Sequence, residues 1–396
     1  MVKQKLLCSL CSNKLTVVFH VAGSFRGNKV CVCKKCNLIQ SVSSDQYNPK
    51  KDPHSVQYKG KRNIEPNSGA MWGNIRHGKG LRLQKHLENF EKLSENFLKA
   101  DVFDDGANRG DFAKYIFKKK NFSYTGCEPD KICFKSYDKK TPKIINSYTE
   151  NFKPNKKFDI IYSSHTLEHT DSLLSHIKKL DEILKTNGYI FIDLPNTEQI
   201  NQEKNIYEEY FVEKHRFHFF PTDIIQIFEN LNYKLTFLET DDYNFTCIFQ
   251  KIITNQKISK KKLISTSPNI FRKRCKMLSM YRKKYFKTAK FLGKISKKIN
   301  KIKNKNQIIF YGGGRLLFNF FNNGLTNKNI ILVIDNFLFD KTKKINGLKI
   351  SNKKILKKLK SKKFPIIVFA RSSFDEIKKE LIFEGFKKII DFRKLN

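Results

Sequence analysis

Val102-Phe103-Asp104-Asp105-Gly106-Ala107-Asn108-Arg109-Gly110 is the stretch on which the reading of the fold turns. A short strand, Asp101–Asp104, runs into a glycine turn, and the turn runs into a helix carrying Phe112, Tyr115 and Ile116. A strand–turn–helix junction of this kind places a ligand site at the carboxyl end of a parallel sheet. Gly106 lets the backbone turn sharply and approach a ligand, and Gly110 permits close entry into the helix. The spacing is G-x-x-x-G rather than the G-x-G-x-x-G that seats a pyrophosphate on a helix terminus. Asp104, two residues before Gly106, suits a cationic ligand amine better than a phosphate. Glu128, at the end of the next strand, is placed to accept both hydroxyls of a ribose.

The same grammar extends outward. Leu81, Leu83, Leu87, Phe90, Leu93 and Phe97 recur at roughly helical spacing, and a second strand ends at Tyr124–Cys127. Phe158–Ser163 reads as a strand, His176–Leu184 as a helix and Tyr189–Leu194 as a strand, with Leu184-Lys185-Thr186-Asn187-Gly188 as the turn between them. Alternation at Leu235–Leu238 and Asn244–Gln250 predicts closing antiparallel strands. Strands alternating with helices imply a doubly wound, Rossmann-like α/β domain over residues 79–250. After a basic, helical connector at 251–306 the alternation restarts. Gln307–Tyr311, Asn329–Ile334 and Phe364–Ala370 read as strands and Phe374–Phe383 as a helix, so 307–396 is a smaller C-terminal α/β domain. There, Gly313 and Arg315 of the Gly312-Gly313-Gly314-Arg315 turn are placed to hold a substrate phosphate through a helix-terminal amide and a guanidinium, although a plain tight turn explains the same residues.

Residues 1–45 differ from both α/β blocks. Five of the nine cysteines fall before residue 37, too unevenly placed for a disulfide framework. Cys8-Ser9-Leu10-Cys11 and Cys33-Lys34-Lys35-Cys36 are two C-x-x-C pairs, which supply the four-sulfur shell Zn²⁺ prefers. Four thiolates leave no open position, so the zinc expected here is structural. Cys31 is spare, and Asn13 and Asn37 lie just past each pair, where left-handed backbone eases a knuckle turn. Residues 46–78 read as a linker and lead-in, with Asn48-Pro49, Asp52-Pro53 and Pro66-Asn67-Ser68-Gly69 as turn signals.

The formal net charge is +41, from 78 basic and 37 acidic residues. Lysine is spread along most of the chain and no Arg-rich recognition segment appears. The charge therefore fits solvated faces and an anionic small substrate better than dedicated nucleic-acid binding. No run approaches the length of a membrane span and no signal peptide is evident, so a cytoplasmic protein without membrane attachment is expected. The oligomeric state is open, and a monomer is compatible with the sequence.

With Asp104–Gly110, Glu128, Phe158-Asp159-Ile160-Ile161-Tyr162-Ser163-Ser164-His165-Thr166-Leu167-Glu168-His169 and Leu184–Gly188 in order, the chain resembles class I S-adenosylmethionine (SAM)-dependent methyltransferases over about Leu87–Gln250. The resemblance implies SAM as cofactor, with Asp104, Gly106, Ala107, Asn108 and Gly110 against its methionine end. It also implies Glu128 on the ribose, Asn146 and Ser147 near the adenine, and Ser164 beside the site. The second glycine of the family loop is Asn108 here. His165, Glu168, His169 and Asp171 follow the fourth strand at the mouth where an acceptor would sit, and His169 has the pKa range of a general base. A second polar–aromatic cluster runs from Tyr210 through Glu213, His215 and His218 to Pro221.

The order of four-cysteine module, SAM domain and glycine-turn α/β domain resembles the nucleotide-sugar C-methyltransferases. That family removes a proton next to the ketone of a nucleotide-linked keto sugar before carbon attacks the methyl group. The resemblance implies His169 and His215 as matching histidines, with Tyr210, Glu213 and His165 as further catalytic candidates. Val212 and Lys214 stand where the family has Tyr and Glu, which leaves O-methylation of the sugar open beside C-methylation. Trp72 and Arg76, in Met71-Trp72-Gly73-Asn74-Ile75-Arg76, are read as substrate contacts in a cap. Two other readings stand beside this one: a small-metabolite O- or N-methyltransferase, and an RNA-binding or RNA-modifying methyltransferase.

Overall fold

A computed structural model describes the chain except residues 1–5, 22–25, 53–54, 58–80, 109, 120, 132–142, 203–209, 212–214, 242–243, 253–266, 340–343, 360, 371–372 and 396. Trp72, Arg76, Arg109, Val212, Glu213 and Lys214 therefore lie outside the described residues. The chain divides into two compact units. The first comprises Met1–Gly60, Leu83–Glu203 and Phe211–Tyr281; the second comprises Lys61–Arg82, Lys204–Tyr210 and Arg282–Asn396.

The first unit is built on two sheets. Strands β1 (Leu15–His20), β2 (Lys29–Cys33) and β3 (Ile39–Val42) pair antiparallel. The larger, seven-stranded sheet contains β4 (Ala100–Asp105), β5 (Phe122–Cys127), β6 (Ile144–Ile145), β7 (Phe158–Ser164) and β8 (Leu184–Pro195). These five are parallel, in the order β8-β7-β4-β5-β6. A two-residue strand, β9 (Phe217–His218), leaves this domain and completes the small sheet, pairing Ile39 with His218 and Gln40 with Phe217. Then β10 (Tyr233–Thr240) and β11 (Asn244–Lys251) close the large sheet, β11 running antiparallel to both β8 and β10.

The central strands are apolar because both their faces are covered. Val102, Phe103, Ile160, Ile161, Ile190, Phe191 and Ile192 are all fully buried. Helices α1 (Leu81–Ser94), α2 (Asp111–Ile116), α3 (Leu173–Ile183) and α4 (Pro221–Glu229) supply the cover. In α3 the buried residues Leu173, Leu174, Ile177, Leu180 and Ile183 follow helical spacing, and Ser172 caps its start by accepting from the Ser175 amide. The expected turn at Leu184–Gly188 is instead part of β8. Asn187 adopts a left-handed φ of 59° and the β7–β8 register shifts between Phe158 and Ile160, so those residues form an irregularity within the strand. The cysteine-rich segment shares a continuous core with the large domain: Cys8, Leu10, Leu15 and Leu38 pack in one cluster with Leu173, Ile177, Phe217 and Ile224.

A long helix, α5 (Pro268–Lys305), contributes residues to both units. The second unit contains β12 (Ile308–Tyr311), β13 (Ile330–Ile334), β14 (Lys344–Ile345), β15 (Leu348–Ser351), β16 (Ile366–Val368) and β17 (Ile389–Asp391). They form a six-stranded sheet in the order β14-β15-β13-β12-β16-β17, parallel except for β14. Helices α6 (Arg315–Asn322) and α7 (Phe374–Phe383) belong to this unit. Among the described residues no helix is long and apolar enough to cross a membrane.

One buried ion group fixes the end of β4. Asp105 is fully buried and accepts from Thr149 Oγ1 at 2.6 Å and Ser163 Oγ at 2.7 Å, while His176 Nε2 of α3 lies 2.9 Å from it. The other ring nitrogen of His176 is 2.9 Å from Glu150. Burial opposes a charged imidazole, yet Asp105 and Glu150 together raise the His176 pKa to about 10. Burial would likewise raise Asp105, but His176 holds it below its ordinary value. The imidazolium's contribution to stability is therefore complete below pH 6.5 and is lost as pH rises through about 10. The Asp105 contribution is lost only in acid. His176→Gln should cost about 3–5 kcal/mol at neutral pH, as removal of one partner of a buried ion pair does. Denaturant titrations from pH 7 to 10.5 should show the gap between wild type and variant narrowing with pH; a constant gap would contradict the assignment.

Candidate active site

The carboxyl ends of β4, β5 and β7 lie side by side, and the turns leaving them form the site. Gly106, Asn108 and Gly110 all have left-handed backbone, with φ of 82°, 49° and 74°. Asn tolerates that region better than other non-glycine residues, which lets Asn108 stand where the resemblance leads one to expect glycine. The Gly106 and Ala107 amides both donate to the Cys127 carbonyl, at 3.1 and 2.8 Å, tying the turn to the end of β5.

Asp104 stands on β4 and Glu128 just past the end of the neighbouring β5, both buried. Asp104 accepts from Tyr124 Oη at 2.5 Å. Glu128 accepts from the Asn108 and Asp130 amides, each at 2.7 Å, and its carbonyl accepts from Asn146 Nδ2. Burial pushes both carboxyls up to about 7. Both are thus buried acids short of positive charge, an arrangement able to hold a cationic, hydroxyl-bearing ligand. Ser147 Oγ donates to the Tyr148 carbonyl at 2.9 Å, and Ser164 Oγ to Asp193 at 3.3 Å.

A second cluster of polar side chains is formed by the turn after β7 and the segment entering β9. Glu168 is fully buried in a short 3-10 turn, Leu167–His169. The Arg216 amide donates to the Glu168 carbonyl at 2.7 Å, which sets the β9 segment against that turn. In consequence the His169 and His215 rings meet edge to face, centroids 4.8 Å apart, and polar atoms of Glu168, His169 and His215 lie within 4.8 Å of one another. His169 is the more accessible histidine at 37% side-chain exposure, a position from which it can exchange a proton with an acceptor. His218 differs: it is buried, meets Ser41 Oγ at 2.8 Å, and burial pushes its pKa down to about 3. It is neutral and structural. Tyr210 belongs to the second compact unit.

Sequence reasoning missed several partners of this site. Tyr124, Asp105, His176, His86 and Asp193 were not singled out, because each acts through a contact between strands or helices far apart in sequence. A weak signal existed in the acidic residue inside the apolar run Tyr189–Leu194, since a carboxylate at that position requires a partner.

The four cysteines expected to ligate metal converge. Sγ atoms lie 3.5 Å apart for Cys8 and Cys36 and 3.4 Å for Cys11 and Cys33, and all four fall within 4.8 Å. A tetrahedral shell with Zn–S bonds of about 2.3 Å has S–S edges of roughly 3.8 Å, so the donor set fits zinc. The Lys35 and Cys36 amides point at Cys33 Sγ, and Gln40 Nε2 donates to Cys8 Sγ. Cys31 is buried on β2 outside the quartet. Of the two asparagines assigned to the knuckle turns, only Asn37 is left-handed, at φ 63°. On the other side the left-handed residue is Ser12, and Asn13 instead donates to the Cys11 carbonyl.

In the second unit the glycine turn after β12 is occupied by the chain itself. The Gly313 amide donates to Asp335 Oδ2 at 2.8 Å, and that of Gly312 to the Ile334 carbonyl. A carboxylate already sits where Gly313 was expected to meet a phosphate, so this amide is removed from the substrate contacts. Arg315 opens α6.

Residues 77–237 match the family model described as a methyltransferase domain. The match covers less than half of the chain and supports a methyltransferase domain within it. Among solved structures, a SAM-dependent methyltransferase from Archaeoglobus fulgidus aligns at 18% identity over 46% of this chain and 99% of its own, with a TM-score of 0.38. The N-methyltransferase NodS from Bradyrhizobium japonicum, solved with S-adenosyl-L-homocysteine, aligns at 10% identity over 47% and 94%, with a TM-score of 0.37. A SAM-dependent methyltransferase from Clostridium acetobutylicum aligns at 14% identity over 41% and 89%, with a TM-score of 0.36. A search of curated proteins finds no match.

The turn after β4 yields a test of packing. A Cβ on Gly106 would meet Thr166 Oγ1 at 2.3 Å and carry a side chain at φ 82°. That hydroxyl donates to the Asp105 carbonyl at 2.7 Å, so it is not free to move. Gly106→Ala should destabilise by about 1–3 kcal/mol, and by less in a Thr166→Ala background. Equal penalties in the two backgrounds would mean the clash does not govern the turn.

Proposed function

We propose that the enzyme methylates a nucleotide-linked sugar, at the carbon next to a keto group or at a hydroxyl. The observation that carries this reading is the meeting of His169 and His215 beside the turn that follows β7. SAM supplies an electrophilic methyl group and leaves as S-adenosylhomocysteine, so the protein's task is to align the acceptor and take one proton. Asp104 receives the cofactor's amino group and Glu128 its ribose hydroxyls. Gly106, Ala107, Asn108 and Gly110 form the wall at the methionine end, with Ser147 near the adenine and Ser164 beside the site. The raised pKa values of Asp104 and Glu128 support this, because a bound cation compensates both buried carboxylates. His169 takes the acceptor's proton, with His215 beside it. The order of cysteine module, SAM domain and glycine-turn unit supports the sugar as acceptor, and Cys8, Cys11, Cys33 and Cys36 hold a structural zinc.

Incubation with methyl-labelled SAM and a panel of nucleotide-linked keto and non-keto sugars tests the acceptor. Label on a sugar carbon with loss of the neighbouring proton, or on a sugar hydroxyl, is the expected result. Labelling only of other small metabolites, or salt-sensitive labelling of RNA, would replace the sugar reading.

For the cofactor, Asp104→Asn and Glu128→Gln should each weaken SAM binding about tenfold or more, ~1.4 kcal/mol. Calorimetric affinity should rise from pH 6 to 8 as the two carboxyls ionise through about 7. Wild-type affinity in both variants would move the cofactor elsewhere.

For the metal, purified protein should contain about one zinc per chain by elemental analysis, and Cys33→Ser should lose it. A wild-type preparation that is metal-free yet fully active would end the zinc assignment.

A further inference from the structure

His165 is held between two buried carboxylates. Its Nδ1 lies 3.1 Å from Glu168 Oε1 and its Nε2 3.2 Å from Asp193 Oδ2. Asp193 in turn has His86 Nε2 at 3.0 Å on its other oxygen, with Ser164 and Thr246 hydroxyls donating to it. His86 Nδ1 meets Tyr162 Oη at 2.9 Å. At the outer end His169 Nε2 is 3.8 Å from the same Glu168 oxygen. A row of alternating imidazoles and carboxylates thus runs from the buried His86 to the exposed His169. The His165 backbone is left-handed, φ 53°, and its amide donates to the Asp193 carbonyl at 2.9 Å, which fixes the ring in this slot.

We infer that His165 is a permanent imidazolium that serves as a positioning residue, opposing Glu168 in setting the basicity of His169, rather than acting as a base itself. The argument is one of donors and acceptors. Ionised carboxylates only accept, whereas a neutral imidazole has one bare lone pair. With a carboxylate oxygen at about 3 Å from each nitrogen, a neutral ring would turn that lone pair against a negative charge. A doubly protonated ring does not, and it compensates both acids. His176, flanked at 2.9 Å on each side by Asp105 and Glu150, is the same device in a structural place. The directions of the acids agree: burial would raise Glu168 and Asp193, but His169 and His165 hold Glu168 low, and His86 and His165 hold Asp193 low. Among the described residues, Glu168 and His215 face His169, and His165 and His169 face Glu168. His169 is then left under two opposed influences, attraction from Glu168 and repulsion from His165 one step further in.

This inference rests on the reading of His169 as the base, and its test separates the two. With ring-labelled histidine, the NMR signals of His165 in the wild-type protein, assigned by their loss in His165→Gln, should show both nitrogens protonated up to at least about pH 8. A neutral His165 that titrates near an ordinary value, or a protonated Glu168 in its place, overturns the inference whatever the acceptor chemistry. In pH profiles of kcat/KM, the acid limb should move in opposite directions. His165→Gln removes a positive neighbour and raises it by about one unit, while Glu168→Gln removes a negative neighbour and lowers it by about as much. A merely structural role predicts lower rates without opposed shifts, and that result overturns the inference too. Wild-type turnover in His169→Gln would instead dismiss His169 as the base, leaving the NMR result standing on its own.

Discussion

The pairing of Asp105 with His176 at the end of β4 is the constraint on which the first unit depends. A carboxylate with no exposure to water is costly unless charge and hydrogen bonds surround it, and here they come from three separate elements. Thr149 draws in the 3-10 turn before β7, Ser163 belongs to β7 itself, and His176 anchors α3. With Asp105 thus fixed, its neighbour Asp104 lies on the opposite face of the strand, where it accepts from Tyr124 Oη. Two adjacent acidic residues therefore divide the work. Asp105 is satisfied internally and holds the scaffold, while Asp104, with one phenol for company, keeps unused capacity for a positive charge.

Much of this was legible in the sequence. The parallel strands announce themselves because a sheet covered on both faces needs continuous apolar runs, as in Phe158–Tyr162. The Gly106–Gly110 turn and the two C-x-x-C pairs were visible because backbone conformation and metal geometry restrict the residues allowed. What stayed hidden was of another kind. The β9 strand is two residues long inside a polar–aromatic run, too short for a periodic signal, and its partner Ile39 lies far back in the chain. The partners of Asp193 and of Asp105 are set by strand neighbours and helix packing, which no local pattern encodes. The misassigned Asn13 shows the limit within a motif: either Ser12 or Asn13 permits a knuckle turn, and only the register chooses Ser12.

The two glycine turns make an instructive contrast. After β4, the acids close to the turn are Asp104, on its own strand, and Glu128, whose carboxylate accepts from the Asn108 and Asp130 amides. After β12, the acid at the end of the neighbouring strand, Asp335, reaches back to the Gly313 amide and also accepts from the Leu338 amide at 2.9 Å. In the first case burial still holds both carboxyls up at about 7; in the second the turn and its acid satisfy each other. Similar strand–turn–helix layouts are thus set to different ends by where one carboxylate points.

The strand β9 carries a consequence for how the chain folds. Ile39 and Gln40 supply the hydrogen-bonding edge for Phe217 and His218, and Arg216 sits between the Ser41 amide and the Glu168 carbonyl. A methyltransferase domain stripped of its cysteine-rich beginning would bare a short edge flanked by the buried rings of Phe217 and Phe219, the kind of surface that invites pairing between molecules. The two parts are therefore not interchangeable modules joined by a tether. A strand of the larger domain finishes the sheet of the cysteine-rich segment, so the two parts fold as one piece.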